Sequence, residues 1–68
     1  MAVTKIIELV GSSKTSSDDA VKAALQEAQA TIRNIKALDV VSVGLRGDEL
    51  DEWRALVRIS FLIERVSE

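Results

Sequence analysis

Four carboxylates stand within five residues in the stretch Asp48–Glu52, which reads Asp-Glu-Leu-Asp-Glu. Ca²⁺ prefers several oxygen ligands, so a group of this kind can hold a weakly bound cation. The spacing is not that of an EF-hand loop, and acidic runs are usually solvated. We therefore interpret the stretch as a charge-rich turn and predict no metal ligands, with a weak cation site as the alternative.

The stretch Gly11–Lys14, which reads Gly-Ser-Ser-Lys, raises the question of a phosphate-binding loop. It lacks the glycine spacing of such a loop, and no helix start follows Lys14 in the required register. A turn from a strand into a helix is the interpretation we favour. The alternative is an anion or a coenzyme phosphate near the N-terminus of that helix, where free N–H groups favour negative charge.

Acid–base and nucleophilic catalysis lack their usual residues, because the chain contains neither His nor Cys. Their absence removes the commonest general base, thiolate nucleophiles, disulfides and thiolate metal sites. Carboxylates, Lys, Arg and Ser remain, and no nucleophile–base pair is visible among them. The sequence therefore predicts that the protein is not an enzyme and has no catalytic residues.

Four secondary-structure elements must position any site, and hydrophobic periodicity predicts them in the order β–α–β–β. The predicted ranges are Val3–Gly11 for the first strand, 18–35 for the helix, and Ala37–Gly47 and Glu52–Val66 for the other strands. A tight turn at Gly47 makes the last two strands a hairpin. The helical crossover lets the first two strands run parallel, with the third between them and antiparallel to both. The predicted fold class is α+β, a three-stranded antiparallel sheet wrapped around one helix.

The predicted helix has one apolar stripe, with its members three or four residues apart. These members are Val21, Leu25, Ala28, Ile32 and Ile35. We expect the stripe to pack on the face of the last strand that runs from Trp53 to Ile63. Core or interface packing is the favoured role of Trp53, with ligand stacking as the alternative. Ser16 with Asp19, or Ser17 alone, is expected to cap the N-terminus of the helix.

The opposite face of the sheet is also apolar, which predicts self-assembly. Its expected members are Ile6, Val10, Leu56 and Leu62, joined by Leu38 and Val40. A chain of 68 residues forms one domain (1–68) with a small core, and an exposed patch of this size is a liability on a monomer. Other subunits can cover the patch, so we expect a homo-oligomer. Ion pairs between subunits, in preference to an anion site, are expected from Arg54, Arg58, Arg65, Glu8 and Glu64.

Charge and hydropathy exclude two classes of partner. The net charge is −2, and the basic residues form no field large enough to bind nucleic acid. The longest apolar run is too short to span a bilayer, and the N-terminus lacks the regions of a signal peptide. We therefore expect a cytoplasmic protein without a nucleic-acid or membrane partner.

Residues 4–13, Thr-Lys-Ile-Ile-Glu-Leu-Val-Gly-Ser-Ser, and residues 58–64, Arg-Ile-Ser-Phe-Leu-Ile-Glu, resemble the first and last strands of the dodecins. An Ala-rich helix and a β-hairpin lie between them, so the resemblance covers nearly the whole chain. Its most specific part is Val10–Ser13, Val-Gly-Ser-Ser, which is close to the Val-Gly-Thr-Ser of the family. The resemblance implies a hollow dodecamer that binds and stores flavin (FMN or riboflavin) and carries out no known reaction. It also implies an association with coenzyme A in bacterial members.

Three residues match the flavin site of the dodecins, and two of them depart from the family pattern. Ala37 stands where a Trp stacks on the flavin ring, and Arg54 stands where a Gln hydrogen-bonds the ring edge. Ser42 matches a polar residue that contacts the ribityl chain. Ala removes the aromatic platform, whereas Arg can stack or bind a phosphate. The resemblance thus implies either flavin storage with Ala37, Ser42 and Arg54 as cofactor-binding positions, or a relative without flavin that is structural or binds coenzyme A or Ca²⁺.

Overall fold

A computed structural model describes residues 3–63 of the chain. Its elements are β1 (Val3–Ser13), α1 (Ser17–Thr31), β2 (Ile35–Arg46) and β3 (Glu52–Ile63). The strands form one sheet in the order β1–β3–β2, and β3 is antiparallel to both neighbours. The predicted fold class, element order and sheet topology are therefore confirmed. The predicted end of the last strand at Val66, and the ion pairs expected of Glu64 and Arg65, lie outside the described residues.

The core lies between α1 and the sheet, and alanine forms the helical side of it. The buried residues are Ala20, Ala24 and Ala28 of α1 and Ala55, Val57 and Ile59 of β3. Packing of the helix on the β3 face that begins at Trp53 is thus confirmed, and Trp53 itself is half-buried against this core. The predicted helical stripe is confirmed in part, because Ala28 is buried and Val21, Ile32 and Ile35 pack half-buried against the core, but Ala20 and Ala24 are buried without having been assigned to it. Small side chains let the helix lie closer to the sheet than Val or Leu would, so the larger residues flank the contact.

Gly11 permits this close approach of helix and sheet. It is buried in β1, beneath the first turns of α1. A Cβ atom at this position would collide with the carbonyl oxygen of Ala20 and lie 3.0 Å from the backbone nitrogen of Ala24. Backbone atoms of a helix cannot turn aside as a flexible side chain can, so only glycine fits.

β1 runs two residues further than predicted, and the helix cap follows soon after. Ser12 and Ser13 still pair with β3, which shortens the polar connection to residues 14–16. Ser16 is the N-cap, and its Oγ accepts a hydrogen bond from the backbone N–H of Asp19 at 3.1 Å. The Ser16 alternative of the two predicted caps is therefore correct. The stretch that resembled a phosphate loop is a strand end and a short turn into α1.

α1 ends four residues earlier than predicted, at Thr31. Ile32 already has an extended backbone, although its N–H donates to the carbonyl oxygen of Ala28 at 2.8 Å. Asn34 has a φ of 62°, a left-handed conformation that Asn adopts more readily than most residues. Ile35 then begins β2. An apolar residue at this position fits the helical pattern and the strand pattern equally well, so periodicity alone misplaced the end of the helix. No helix among the described residues is long and apolar enough to cross a membrane.

A β-bulge in β2 changes which residues of this strand share a face. Leu38 and Val40 pair with inward-facing residues of β3 and lie on the helix side, whereas Ser42 pairs with Leu56 on the other side. Strict alternation along β2 predicts Leu38, Val40 and Ser42 on one face, and the bulge makes this prediction wrong. The assignment of Leu38 and Val40 to the apolar face turned away from the helix is wrong as well. One extra residue at a bulge shifts the alternation of side chains, which a strict period of two does not anticipate.

Candidate functional site

The side of the sheet turned away from α1, which we call the outer face, holds the residues predicted to bind a ligand. Residues opposite one another on neighbouring strands share a face. Four rows cross all three strands on the outer face: Ser12, Arg54 and Gly44; Val10, Leu56 and Ser42; Glu8, Arg58 and Asp39; Ile6, Ser60 and Ala37. Ile6 and Val10 are 55% and 58% exposed there, as the prediction of an uncovered apolar face requires. An apolar row thus separates a basic row from one that holds both signs of charge.

A hollow of about 360 Å³ opens on the outer face beside the basic row. Its lining consists of Val10, Ser42, Val43, Gly44, Arg46, Arg54 and Leu56. Two of the three predicted site residues, Ser42 and Arg54, therefore lie together in one subunit. A guanidinium group, a hydroxyl and an apolar wall can bind a small molecule that carries both an anionic and an apolar part.

The third predicted site residue, Ala37, lies away from this hollow. It pairs with Ser60, which is six residues from Arg54 along β3. At the rise of a β-strand, this separation is about 20 Å. Ala37 is exposed and offers only a methyl group. A single subunit therefore does not bring Ala37 to Ser42 and Arg54.

Two guanidinium groups face the hollow, those of Arg54, which was predicted from the sequence, and of Arg46, which was not. Nη2 of Arg54 lies 3.3 Å from Oε1 of Glu52, an exposed pair that orients the arginine only weakly. Nη1 of Arg46 donates to the carbonyl oxygen of Leu45 at 2.9 Å, and its guanidinium group lies over Gly44. The sequence could have predicted Arg46 from its position just before the hairpin turn, because the turn brings Arg46 to the same end of the sheet as Arg54.

Glu8 and Arg58 form an ion pair across β1 and β3 within one subunit. Nη2 of Arg58 lies 2.8 Å from Oε2 of Glu8, and both side chains are about half exposed. Arg58 and Arg54 each have a carboxylate partner in their own chain, and the expected ion pairs between subunits stay a prediction. The two residues are directly opposite in the sheet register, which makes the contact local. At this exposure the pair contributes at most about 1 kcal/mol to stability.

Residues 47–51 connect β2 and β3, so the acidic stretch lies in this turn except for Glu52, which is the first residue of β3. Gly47 has a φ of 98°, as the predicted tight turn requires, and Leu50 is also left-handed with a φ of 53°. Oδ2 of Asp51 lies 3.8 Å from Nζ of Lys14, and both side chains are mainly exposed. Within residues 3–63, no three side chains of His, Cys, Asp or Glu come together in a way that could hold a metal ion.

The fold places this chain among small β–α–β–β proteins. In such proteins one face of the sheet packs on a single helix, and the outer face is left open for ligands or other subunits. The family model described as Dodecin matches residues 3–64. The chain therefore belongs to the dodecin family. The match spans all four elements, and it confirms the family resemblance found in the sequence.

Solved dodecins share this fold over nearly the whole chain. A point mutant of the Thermus thermophilus dodecin is 30% identical, with a TM-score of 0.86 over 96% of this chain and 100% of that chain. The Streptomyces coelicolor dodecin is 27% identical, with a TM-score of 0.85 over 96% of each chain. The calcium-chelating dodecin of Mycobacterium tuberculosis is 25% identical, with a TM-score of 0.82 over 97% of each chain. Comparison with curated protein sequences gives no significant match.

Proposed function

We propose that this protein is a non-catalytic binding and storage protein that assembles into a hollow dodecamer in the cytoplasm and holds FMN on its outer face. The observation that carries this proposal is the hollow in which Ser42 and Arg54 lie together. Membership of the dodecin family supports both the assembly and the class of ligand. The apolar outer face supports self-assembly independently, because Ile6 and Val10 are exposed on a single subunit.

The residues of the hollow favour an anionic ligand over a neutral one. Arg54 and Arg46 present guanidinium groups, which bind phosphate oxygens through paired hydrogen bonds. Ala37 supplies no aromatic ring, so stacking contributes less affinity than a Trp would provide. The phosphate of FMN therefore supplies a larger share of the binding energy, and riboflavin, which lacks it, binds more weakly.

Titration of the purified oligomer with FMN and with riboflavin tests this proposal through quenching of flavin fluorescence. We expect FMN to bind about tenfold or more tightly than riboflavin, since a charged hydrogen bond contributes about 1.5–3 kcal/mol. Arg54→Gln should remove most of that difference. Arg33→Gln, which removes an exposed arginine outside the hollow, is the matched control and should preserve it. Equal affinity for the two flavins, or a preference that survives Arg54→Gln, would contradict the assignment of the phosphate to Arg54.

Introducing the missing ring offers a second, independent prediction. Ala37→Trp should raise the affinity for flavin about tenfold or more, because an aromatic platform adds flat contact area and stacking energy. Ala30→Trp, on the exposed side of α1, is the matched control and should leave the affinity unchanged. The same fluorescence titration measures both variants. An unchanged affinity in Ala37→Trp would show that this position does not belong to the flavin site.

A second candidate function is that of a dodecin without flavin, which binds coenzyme A or Ca²⁺ or has a structural role. The absence of a ring at Ala37 favours it, and the calcium-chelating dodecin of M. tuberculosis shares the fold. If the protein quenches the fluorescence of neither FMN nor riboflavin, calorimetric titration with coenzyme A and with Ca²⁺ distinguishes these possibilities. Coenzyme A binding that is lost in Arg54→Gln would assign the hollow to that ligand. Ca²⁺ binding that is lost in Asp48→Asn would assign the cation to the acidic turn.

A further inference from the structure

Two residues of opposite charge lie on the outer face of β2 without an ion-pair partner among residues 3–63. Asp39 is opposite Arg58, but Arg58 is paired with Glu8. Arg46 is opposite Glu52, but Glu52 is paired with Arg54, and the guanidinium group of Arg46 donates to a backbone carbonyl. β2 therefore carries one unneutralised acid near its middle and one unneutralised base at its end.

The segment between these two charges is apolar and uncovered. β2 is an edge strand, and α1 packs mainly on β1 and β3, so the helix leaves this part of β2 open. The exposed apolar side chains of the segment are Val40, Val41, Val43 and Leu45, which are 49%, 45%, 45% and 37% exposed. An edge strand with exposed apolar side chains is a template for association with another chain.

The order of these residues is self-complementary under a two-fold rotation. Val41 is the extra residue of the bulge and has no opposite residue, so an axis perpendicular to the sheet beside Val43 exchanges the positions of Asp39 and Arg46. The same rotation exchanges Val40 with Leu45, which lie together on the helix side of the sheet. Both charges lie on the outer face, so they remain on the same side after the rotation. An isologous interface requires this reciprocity, in which residue i contacts residue j and j contacts i.

We propose that β2 packs antiparallel to β2 of a second copy of this chain about this axis, with each Asp39 facing the partner's Arg46. Two reciprocal ion pairs flank an apolar centre and set the register of the two strands. Because Arg46 also lines the hollow, the contact places the rim of the hollow at the junction of two subunits. This inference rests on the proposed self-assembly, and it names the surface and the charges that direct one of its contacts.

Charge reversal tests the pairing directly. Light scattering and native mass spectrometry across a dilution series give the concentration at which half of the chains dissociate. We expect Asp39→Arg and Arg46→Asp each to raise this concentration about tenfold or more, because each substitution places like charges together at two symmetric positions. The double variant with both substitutions should return to within about threefold of wild type, because the opposite charges again face each other.

The matched control is Glu27→Arg, which makes the same change of charge as Asp39→Arg but on the exposed side of α1, and it should leave the dissociation concentration unchanged. Circular dichroism confirms that each variant is folded, and recovery in the double variant separates loss of pairing from loss of folding. A wild-type oligomer that the single variants do not weaken, or that the double variant does not restore, would overturn the pairing while leaving the proposed assembly in place. A monomeric wild-type protein would overturn both.

Discussion

Replacement of Gly11 by alanine is expected to lower the free energy of unfolding by about 3 kcal/mol, near the upper end of the cost of overpacking. The added Cβ atom meets the helix backbone at Ala20 and Ala24. To relieve the collision, α1 must lift away from β1, which loosens the alanine contacts along the whole helix. In a domain of this size, such a loss corresponds to a fall of roughly 10–25 °C in melting temperature.

Gly44→Ala is the matched control for this substitution. Gly44 also lies in a strand, but a Cβ atom there meets only the far end of the flexible Arg46 side chain. We expect a loss of less than about 1 kcal/mol, since the guanidinium group can move aside. Thermal unfolding followed by circular dichroism, at one protein concentration for all variants, measures both changes. Similar losses in the two variants would show that the helix does not press on β1 as the structure indicates.

Replacement of Ile59 by alanine is expected to cost about 3–4 kcal/mol, the range found when a large buried side chain leaves a cavity. Ile59 lies at the centre of β3, is completely buried, and is one of the two largest fully buried side chains among the described residues. The alanines on the facing helix are too small to fill the space that it leaves. Unfolding in urea, with the midpoint and slope compared with wild type, measures the loss.

Ile6→Ala removes the same atoms from the outer face of the same sheet and serves as its control. Ile6 is 55% exposed on a single subunit, so the dissociated chain should lose less than about 1 kcal/mol. A larger loss that appears only in the assembled protein would locate Ile6 in a contact between subunits. A loss below about 1 kcal/mol in Ile59→Ala would contradict the position of the core between β3 and α1.

The central strand was the most predictable part of the fold. β3 is paired on both sides along its length, so its residues keep a strict alternation from Trp53 onward. Alternation in the sequence therefore identified its buried face, including Val57 and Ile59. β2 is paired on one side only, and its bulge near Val41 has no signal in residue type. The face of Ser42 could not be predicted for that reason.

The candidate site was predictable in its residues more than in its geometry. Ser42 and Arg54 come together because the hairpin turn folds β2 back on β3, a contact that is local in sequence. Arg46 joins them for the same reason. Ala37 matches the family site by position, yet the register of the hairpin places it about 20 Å from Arg54 within one chain. Only the Ala37 of a second subunit can lie closer to Arg54, and the sequence pattern of one chain does not predict contacts between subunits.

The sequence by itself determined the element order, the hairpin and the sheet topology, because turn residues, alternation and the short crossover leave few other arrangements. It also excluded chemistry that depends on His or Cys. Tertiary structure alone decided that Ala20 and Ala24 are fully buried while Val21 and Leu25 are only half-buried, and that Gly11 lies beneath the helix. The physical reason is distance: periodicity shows which residues share a side of a helix, but how closely the helix approaches the sheet depends on side chains and backbone from distant parts of the chain.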